Sequence, residues 1–488
     1  MLVETPERRE SEGSTLHAGR GKLVDERRHA RAGISLWDSS LRSERKAFLK
    51  SWRLGFLFTN LFMWACLPIY WGSYFRQPQN LHRLTVGLID LDTPGANANG
   101  ETAVLGPALL EAPSQLPGRN NLGFIRLDNT QFDISSATGG EPRGVDVHQW
   151  AYEAVHNEDY FGIIIANANA TVAALSAYQT VVEGGESNYV AEGALSMYYE
   201  EGRNFETEDQ WVSPLMTSFI NNYVVGNAAT AFLSLVSDRL VSLSNAQFAA
   251  LNSEALATII SKPFAQATWN IRPITQFAGI PATSVGMLYL LIFTYFCSMF
   301  WNNARSSFES KIIVRDLILL RVVVPVVIYL FISLWISLVT MAFRVSFDQF
   351  YGKGGFPIFW ASNFLAMWAL GMPMEIALTF LGPRYTAFFL VTWIILNVSV
   401  AFLDLANMAH FYSYGFIMPV WQAVQNGKAV LFGTKGRFGQ NFGVLAAWVI
   451  CGTIGLILTV MYTRKRAIKK QERERRRKEE EQANGKAQ

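Results

Sequence analysis

Apolar residues along this 488-residue chain gather in six long runs separated by polar stretches. The runs are Leu54–Tyr74, Ser284–Trp301, Val322–Ala342, Phe356–Phe380, Ala387–Leu405 and Phe442–Tyr462. A helix rises about 1.5 Å per residue, so about 20 residues cross a hydrocarbon core of roughly 30 Å. Glu375, and Asp404 near an end, are the only charges inside the runs. In lipid every backbone group must be bonded internally, so such runs are helices. The pattern predicts an α-helical integral membrane protein with six transmembrane helices in a 1+5 arrangement. One span (54–74) is followed by a large extracytoplasmic α/β domain (75–283) and a five-helix bundle (284–462: 284–301, 322–342, 356–380, 387–405, 442–462). The flanks are a disordered cytoplasmic tail (1–50) and a basic cytoplasmic tail (463–488).

The segment between the first two spans changes period. Leu84–Asp92 reads as a buried strand ending in a turn at Pro94-Gly95. Leu122–Leu127, Tyr160–Ala166 and Ser196–Tyr199 read as further strands. Gly106–Leu116, Val145–His156 and Ala170–Gln179 read as helices between them. From Glu208 to Ile260 the pattern is helical throughout: Met216, Phe219, Ile220, Tyr223, Val224, Phe232, Val236 and Leu240 keep a spacing of three to four. This arm is expected to lead down to the membrane, with Pro263, Pro273 and Pro281 interrupting the descent.

Charge orients the chain. Arg42, Arg45, Lys46, Lys50 and Arg53 precede the first span; Arg305, Lys311, Arg315 and Arg321 lie between the second and third; Arg464-Lys-Arg466 follows the last. Lys and Arg beside spans stay cytoplasmic, so both termini are expected inside. The 75–283 segment holds 21 acidic and 9 basic residues and one sequon, Asn169-Ala-Thr171, a glycosylation candidate that agrees with an outer location. The first apolar run is full length and starts beyond residue 50, so it reads as a retained anchor. Cys66, Cys297 and Cys451 all fall within spans and cannot staple the outer domain.

Candidate chemistry is confined to a few polar positions. Glu375 sits inside a span, where an ionisable group costs about 2.5–3.5 kcal/mol on insertion scales and usually faces a bundle interior or aqueous path. It reads either as a proton, cation or substrate site or as a hydrogen-bond partner of a Ser, Thr or Arg such as Arg384. Between Asn397 and Phe442 the chain is aromatic yet interrupted by Asn397, Ser399, Asp404, His410, Tyr412, Tyr414 and Pro419. A re-entrant or interfacial pair of short helices fits it, and Asp404 with His410 reads as a titrating or a structural pair. No phosphate-binding Gly-x-x-x-x-Gly-Lys-Ser/Thr loop, zinc spacing or Gly-x-Ser-x-Gly elbow is present. Gly19-Arg-Gly-Lys22 lacks the flanking strand and helix. No enzyme, metal site, cofactor or nucleic-acid partner is expected.

Particular stretches resemble a known family. Leu84–Asp92 and Tyr160-Phe-Gly-Ile-Ile-Ile-Ala166, in a one-span, outer-domain, five-span order, resemble the membrane subunits of type-2 ABC exporters and their phage-infection-protein-like relatives. Asn397-Val-Ser399, Phe411-Tyr-Ser-Tyr-Gly-Phe-Ile-Met-Pro419, Leu431-Phe-Gly-Thr-Lys435 and Gly439-Gln-Asn-Phe-Gly443 are similar to the fungal nitrosoguanidine-resistance protein family. The resemblance covers roughly residues 50 to 465. It implies a plasma-membrane or endomembrane protein linked to tolerance of toxic small molecules, a homodimer, and a separate ATP-binding subunit.

The expected function is therefore exporter-like: efflux of, or tolerance to, toxic small molecules or a host metabolite, with membrane lipids as surroundings. A non-transporting scaffold or regulator with an outer binding domain, or a factor in lipid distribution across the bilayer, are the alternatives.

Overall fold

The computed structural model describes residues 37–92, 103–118, 120–132, 145–241, 243 and 251–486. The expected turn at Pro94-Gly95 and the tail up to residue 36 lie outside the described residues. The chain divides into two units, residues 1–65 and 66–488. In the first, a short 3-10 turn (Ser39–Leu41) is capped by Asp38, whose Oδ1 accepts from the Ser40 backbone N–H at 2.9 Å. Helix α1 (Arg42–Tyr74) starts there, eight residues earlier than the end of the tail expected at residue 50. Around its circumference Trp52, Leu54, Phe56, Leu57, Leu61 and Trp64 are exposed, as a lipid-facing helix requires.

The second unit contains a five-stranded sheet in the order β2-β1-β3-β4-β5. The strands are β1 (Thr85–Asp90), β2 (Gly123–Arg126), β3 (Gly162–Ala166), β4 (Leu195–Tyr199) and β5 (Gln266–Asn270). β1 runs parallel to β2 and β3, β3 pairs antiparallel with β4, and β4 runs parallel to β5. Alternation at period two divides the side chains between two faces. Val86, Leu88, Ile164, Leu195 and Met197 enter one core, with helices α2 (Leu105–Glu111), α4 (Ala170–Val182) and α5 (Phe205–Val241). Ile89, Ile163, Ile165 and Tyr198 enter the other, under α3 (Val147–His156). α3 begins where Asp146 accepts from the His148 N–H at 2.9 Å.

One direction differs from expectation: helix α5 starts at the bundle, where Asn204 donates to the Phe402 carbonyl, and runs along the sheet away from it. Its apolar stripe, Met216, Phe219, Ile220, Val224, Phe232 and Val236, is buried against the sheet. The chain climbs along α5, adds α6 (Ser253–Ser261), and returns through β5, which the pattern did not announce. The sequon also has a local job. Thr171 is buried at the start of α4, and its hydroxyl donates to Asp92 Oδ2 at 2.5 Å while accepting from the Val104 N–H at 3.0 Å.

The bundle is organised around α9 (Gly355–Leu381), which packs against α7 (Val285–Ser306), α8 (Val314–Ala342), α10 (Pro383–Val398), α11 (Pro419–Phe432) and α12 (Phe438–Lys486). α9 has buried residues on every side, from Phe359 and Asn363 to Glu375 and Leu378. At Gly371 the Tyr329 ring of α8 occupies the place of a side chain, so only glycine lets the two helices approach. The helix expected over Ala387–Leu405 is shorter and earlier. Gly382 ends α9 at φ 72°, Pro383 takes the first position of α10, and Ser399 caps it, with its hydroxyl donating to the Ile395 carbonyl at 2.6 Å. α12 continues unbroken through the expected tail to Lys486.

Among the described residues, six helices are long and apolar enough to cross a membrane: Ser39–Tyr74, Phe205–Val241, Val285–Ser306, Val314–Ala342, Asp348–Leu381 and Phe438–Glu480. The second of these is α5, and α10, at 16 residues, falls among the shorter apolar helices.

Candidate functional site

Polar groups concentrate at the two ends of the bundle. At one end, helix α7 runs one turn past its apolar stretch and brings Arg305 level with Glu375 on α9. Arg305 Nη1 meets Glu375 Oε2 at 3.0 Å, and both side chains are fully excluded from solvent. The same guanidinium reaches Glu309 through Nε at 3.3 Å and donates to Asn302 Oδ1 through Nη2 at 3.1 Å. Arg321 of α8 completes the network, with Nη2 3.3 Å from Glu309 and Nη1 donating to the Thr379 hydroxyl at 3.0 Å. Arg464 of α12 donates to the Ser310 carbonyl at 2.9 Å. Four helices are thus tied at one level by planar guanidinium forks, each matched to several acceptors. Glu375 has Arg305 as its partner, not the Arg384 considered from sequence.

At the other end the α/β domain rests on the chain between α10 and α11. Asn204 caps α5 by accepting from the Thr207 N–H at 3.0 Å, and its amide donates to the Phe402 carbonyl at 3.0 Å. Arg203 lies 3.5 Å from Asp404, with its guanidinium 3.6 Å from the centre of the Phe161 ring. Lys428 of α11 donates to the Arg203 carbonyl at 3.0 Å, and burial pulls its amine down to about 8. Glu208 is fully buried beside these groups. Its two oxygens have no hydrogen-bond partner among the described residues, and burial holds the carboxyl well above its usual range. A cavity of about 400 Å³ opens at this junction, lined by Arg83, Arg203, Asp404, His410, Trp421 and Lys435 among others.

The interrupted segment is explained residue by residue. Asn397 is buried, and its Oδ1 accepts from the Val420 N–H at 3.3 Å, satisfying a free donor at the start of α11, while its amide donates to the Trp393 carbonyl at 3.0 Å. Tyr412 donates to the Ile69 carbonyl at 2.7 Å and Tyr414 to the Leu396 carbonyl at 3.1 Å. Asn397, Ser399, Tyr412 and Tyr414 therefore hold helices in place. Asp404 and His410 both line the junction cavity, but the ionic partner of Asp404 is Arg203, which corrects the expected Asp404–His410 pair. Asn169 adopts the left-handed conformation at φ 59° just before α4. No group of three or more His, Cys, Asp or Glu suited to a metal occurs among the described residues.

A second cavity, of about 720 Å³, is almost wholly apolar. It lies between the first half of α7 and the second half of α8, in the half of the bundle nearer the α/β domain. Tyr289, Phe293, Trp335 and Val339 edge it and are exposed on the bundle surface. Asn363 of α9 also lines it. This side chain is buried, its amide donates to the Ser337 hydroxyl at 3.1 Å, and its Oδ1 has no partner among the described residues.

Sequence reasoning missed Arg305, because it stands outside the apolar run 284–301 among loop charges. It also missed Asn363, a neutral amide in an otherwise apolar stretch.

Comparison with known proteins bears on the membrane reading. The chain is 21% identical over 448 residues, covering 89% of itself and 84% of its relative, to the uncharacterized endoplasmic reticulum membrane protein YJR015W of Saccharomyces cerevisiae. No solved structure matches. With its apolar helices, the chain is a helical membrane protein. The model that matches residues 55–454 is described as a protein of unknown function, DUF3533, and the chain belongs to that family.

Proposed function

We propose that the protein is exporter-like and lowers the cellular load of toxic, membrane-soluble small molecules. The observation that carries this reading is the apolar cavity between α7 and α8. Its volume of about 720 Å³ falls within the usual range for small-molecule sites, and it offers one buried, unmatched acceptor, Asn363 Oδ1, in an apolar wall. Such a site suits a compound that is mostly apolar and carries one donor, entering sideways from the bilayer. The ionic network around Arg305 closes the opposite end of the bundle. In this reading α1, α7, α8, α9, α10 and α12 are the 1+5 crossings and α5 belongs to the outer domain. The network end, where Arg305, Arg321 and Arg464 converge, is cytoplasmic by its positive charge. The membrane is the endoplasmic reticulum or one in exchange with it, as the relative's name suggests. The resemblance to nitrosoguanidine-resistance proteins and type-2 exporters supports the same class of activity.

The test is accumulation of a panel of labelled apolar toxicants. Cells lacking the protein are compared with cells expressing the wild type or Asn363→Leu at matched abundance. Lower accumulation with the wild type, lost in the variant, is expected. Equal accumulation in all three sinks the proposal.

One observation favours a scaffold instead. α12 extends from the bundle as a continuous charged rod, braced by Lys470–Glu474 and Arg475–Glu479 pairs. Truncation after residue 466 separates the readings: a transporter keeps its activity and a scaffold acting through the rod loses it.

A further inference from the structure

We propose that the cavity at the junction of the α/β domain and the bundle binds an anionic group, a phosphate or carboxylate, between Arg83 and Lys435. The cavity holds about 400 Å³ and four cations line it: Arg83, Arg203, Lys435 and Arg437. Two of them are matched by the two carboxylates on the same wall. Arg203 stands 3.5 Å from Asp404 and Arg437 stands 2.7 Å from Glu158. The other two are matched only by main-chain carbonyls among the described residues. Arg83 Nη1 donates to the Met408 carbonyl at 2.8 Å, and Lys435 Nζ donates to the Asn157 carbonyl. A carbonyl orients a cation without cancelling its charge. The site therefore carries an excess of two positive charges, and an Arg fork and a Lys ammonium keep donors free for a further acceptor.

The cations come from separate elements and meet by design of the backbone. Arg83 precedes β1. Lys435 and Arg437 follow α11, where Gly433 ends the helix at φ 70°, and both line the cavity. Arg272 holds that turn by donating to the Gly433 carbonyl at 2.9 Å. This accounts for the Leu431-Phe-Gly-Thr-Lys435 motif, which the apolar cavity leaves unused. Low-dielectric bundle walls on one side, including Phe416 and Trp421, strengthen the attraction for an anion over that in open water. The inference does not depend on transport.

The full-length protein in phosphatidylcholine nanodiscs is titrated with inorganic phosphate and, separately, with dihexanoylphosphatidic acid; dihexanoylphosphatidylcholine serves as the net-neutral control. Binding is read by calorimetry and by the rise in unfolding temperature. Saturable binding of either anion, weakened roughly tenfold or more in Arg83→Gln/Lys435→Gln and in added salt, supports the site. Phosphate binding marks a soluble anion as the source, and binding of phosphatidic acid alone marks a lipid headgroup. Glutamine keeps a donor for each carbonyl, so the variant's unliganded unfolding temperature is expected to match the wild type. Should the double variant fail to fold, Lys435→Gln against Lys435→Arg gives the same comparison, with binding kept only in the arginine variant. Absence of binding by both anions, or equal binding to the wild type and the charge-neutral variant, overturns the proposal.

Discussion

Replace Glu375 by Met, and Arg305 still faces Glu309 at 3.3 Å and Asn302 at 3.1 Å. Replace Arg305 by Met, and Glu375 is left with no cation in contact, its Oε1 already without a hydrogen-bond partner among the described residues. Removing one member of a buried pair costs about 3–5 kcal/mol because the other charge stays buried. The residual partners place Glu375→Met near the lower figure, about 3 kcal/mol, and Arg305→Met near the upper, about 5 kcal/mol. The double variant has no orphaned charge at this pair and replaces it with side chains of similar reach. It is expected to be less damaging than Arg305→Met alone, giving a coupling of more than about 3 kcal/mol. The assay is reversible SDS-driven unfolding of the four proteins in detergent micelles, read by circular dichroism. Arg305→Lys is a fifth arm: an ammonium cannot span Glu375, Glu309 and Asn302 as the guanidinium does, so most of the loss should persist. A coupling below about 0.5 kcal/mol, within the range for independent sites, or a lysine variant as stable as the wild type, would refute the reasoning. The same numbers bear on transport. A loss of tolerance in a Glu375 variant reports on mechanism only at matched abundance, since the pair is expected to set abundance as well.

Three further outcomes follow from single residues. Asn397→Ala leaves the Val420 N–H buried without its acceptor and should cost about 1–3 kcal/mol in the same unfolding assay; an unchanged midpoint would remove Asn397 as the cap of α11. Burial raises Asp90 from 3.8 to about 6, with Asp92 beside it adding to the rise. A carboxyl raised on folding destabilises the charged form, so stability should increase as pH falls from about 6 towards 4; at about 1.4 kcal/mol per pH unit, halved for its partial solvent contact, the gain is about 1.5 kcal/mol. Asp90→Asn should flatten that window, and an unaltered pH profile would count against it. Glu208→Gln removes a carboxyl buried without a hydrogen-bond partner, whose charged form burial disfavours, and should raise the unfolding temperature at pH 7.5, with the gain fading as pH falls below the ordinary value of 4.5, where the unfolded carboxyl is protonated too; a fall at pH 7.5 would show that Glu208 has a structural partner.

Much of the α/β domain was legible because two-period alternation and turn residues mark strands locally. β1, β2 and β3 each lie within the stretch read as a strand, and β4 starts one residue before its stretch, at Leu195. β5 was not legible. Gln266-Ala-Thr-Trp-Asn is a half-exposed edge strand, and its polar pattern is that of a loop. α5 was legible as a helix but not in direction, since periodicity reports a face and not what covers it; the sheet covers it here. The bundle shows the same limit. Glu375 stands out in sequence because it is the one carboxylate deep in an apolar run. Arg305 does not, because α7 continues a turn beyond its apolar stretch and turns a loop charge into a buried one. Asn397 and Tyr412 drew attention as polar groups near the membrane, and their partners, a backbone N–H and a backbone carbonyl far along the chain, could not be inferred from spacing.

The placement of charge explains why the bundle can be polar at both ends and apolar between them. An unpaired ion in a hydrocarbon interior costs several kcal/mol even after relaxation. The chain meets that cost only where several helices end together and can supply three or four acceptors at once. At the network end those are Glu309, Glu375, Asn302 and Thr379; at the junction they are Asp404, Glu158 and carbonyls of the α10–α11 link. Between the ends, α9 meets its neighbours through Trp360, Ser362 and Asn363, paired with Ser333, Asn426 and Ser337. A helix pair joined by so few polar contacts can separate along its apolar faces more cheaply than at either end. Asn363, one of those contacts, lines the apolar cavity between α7 and α8, so separation there would change the cavity's volume while the ionic network at the far end holds α7, α8 and α9 in register.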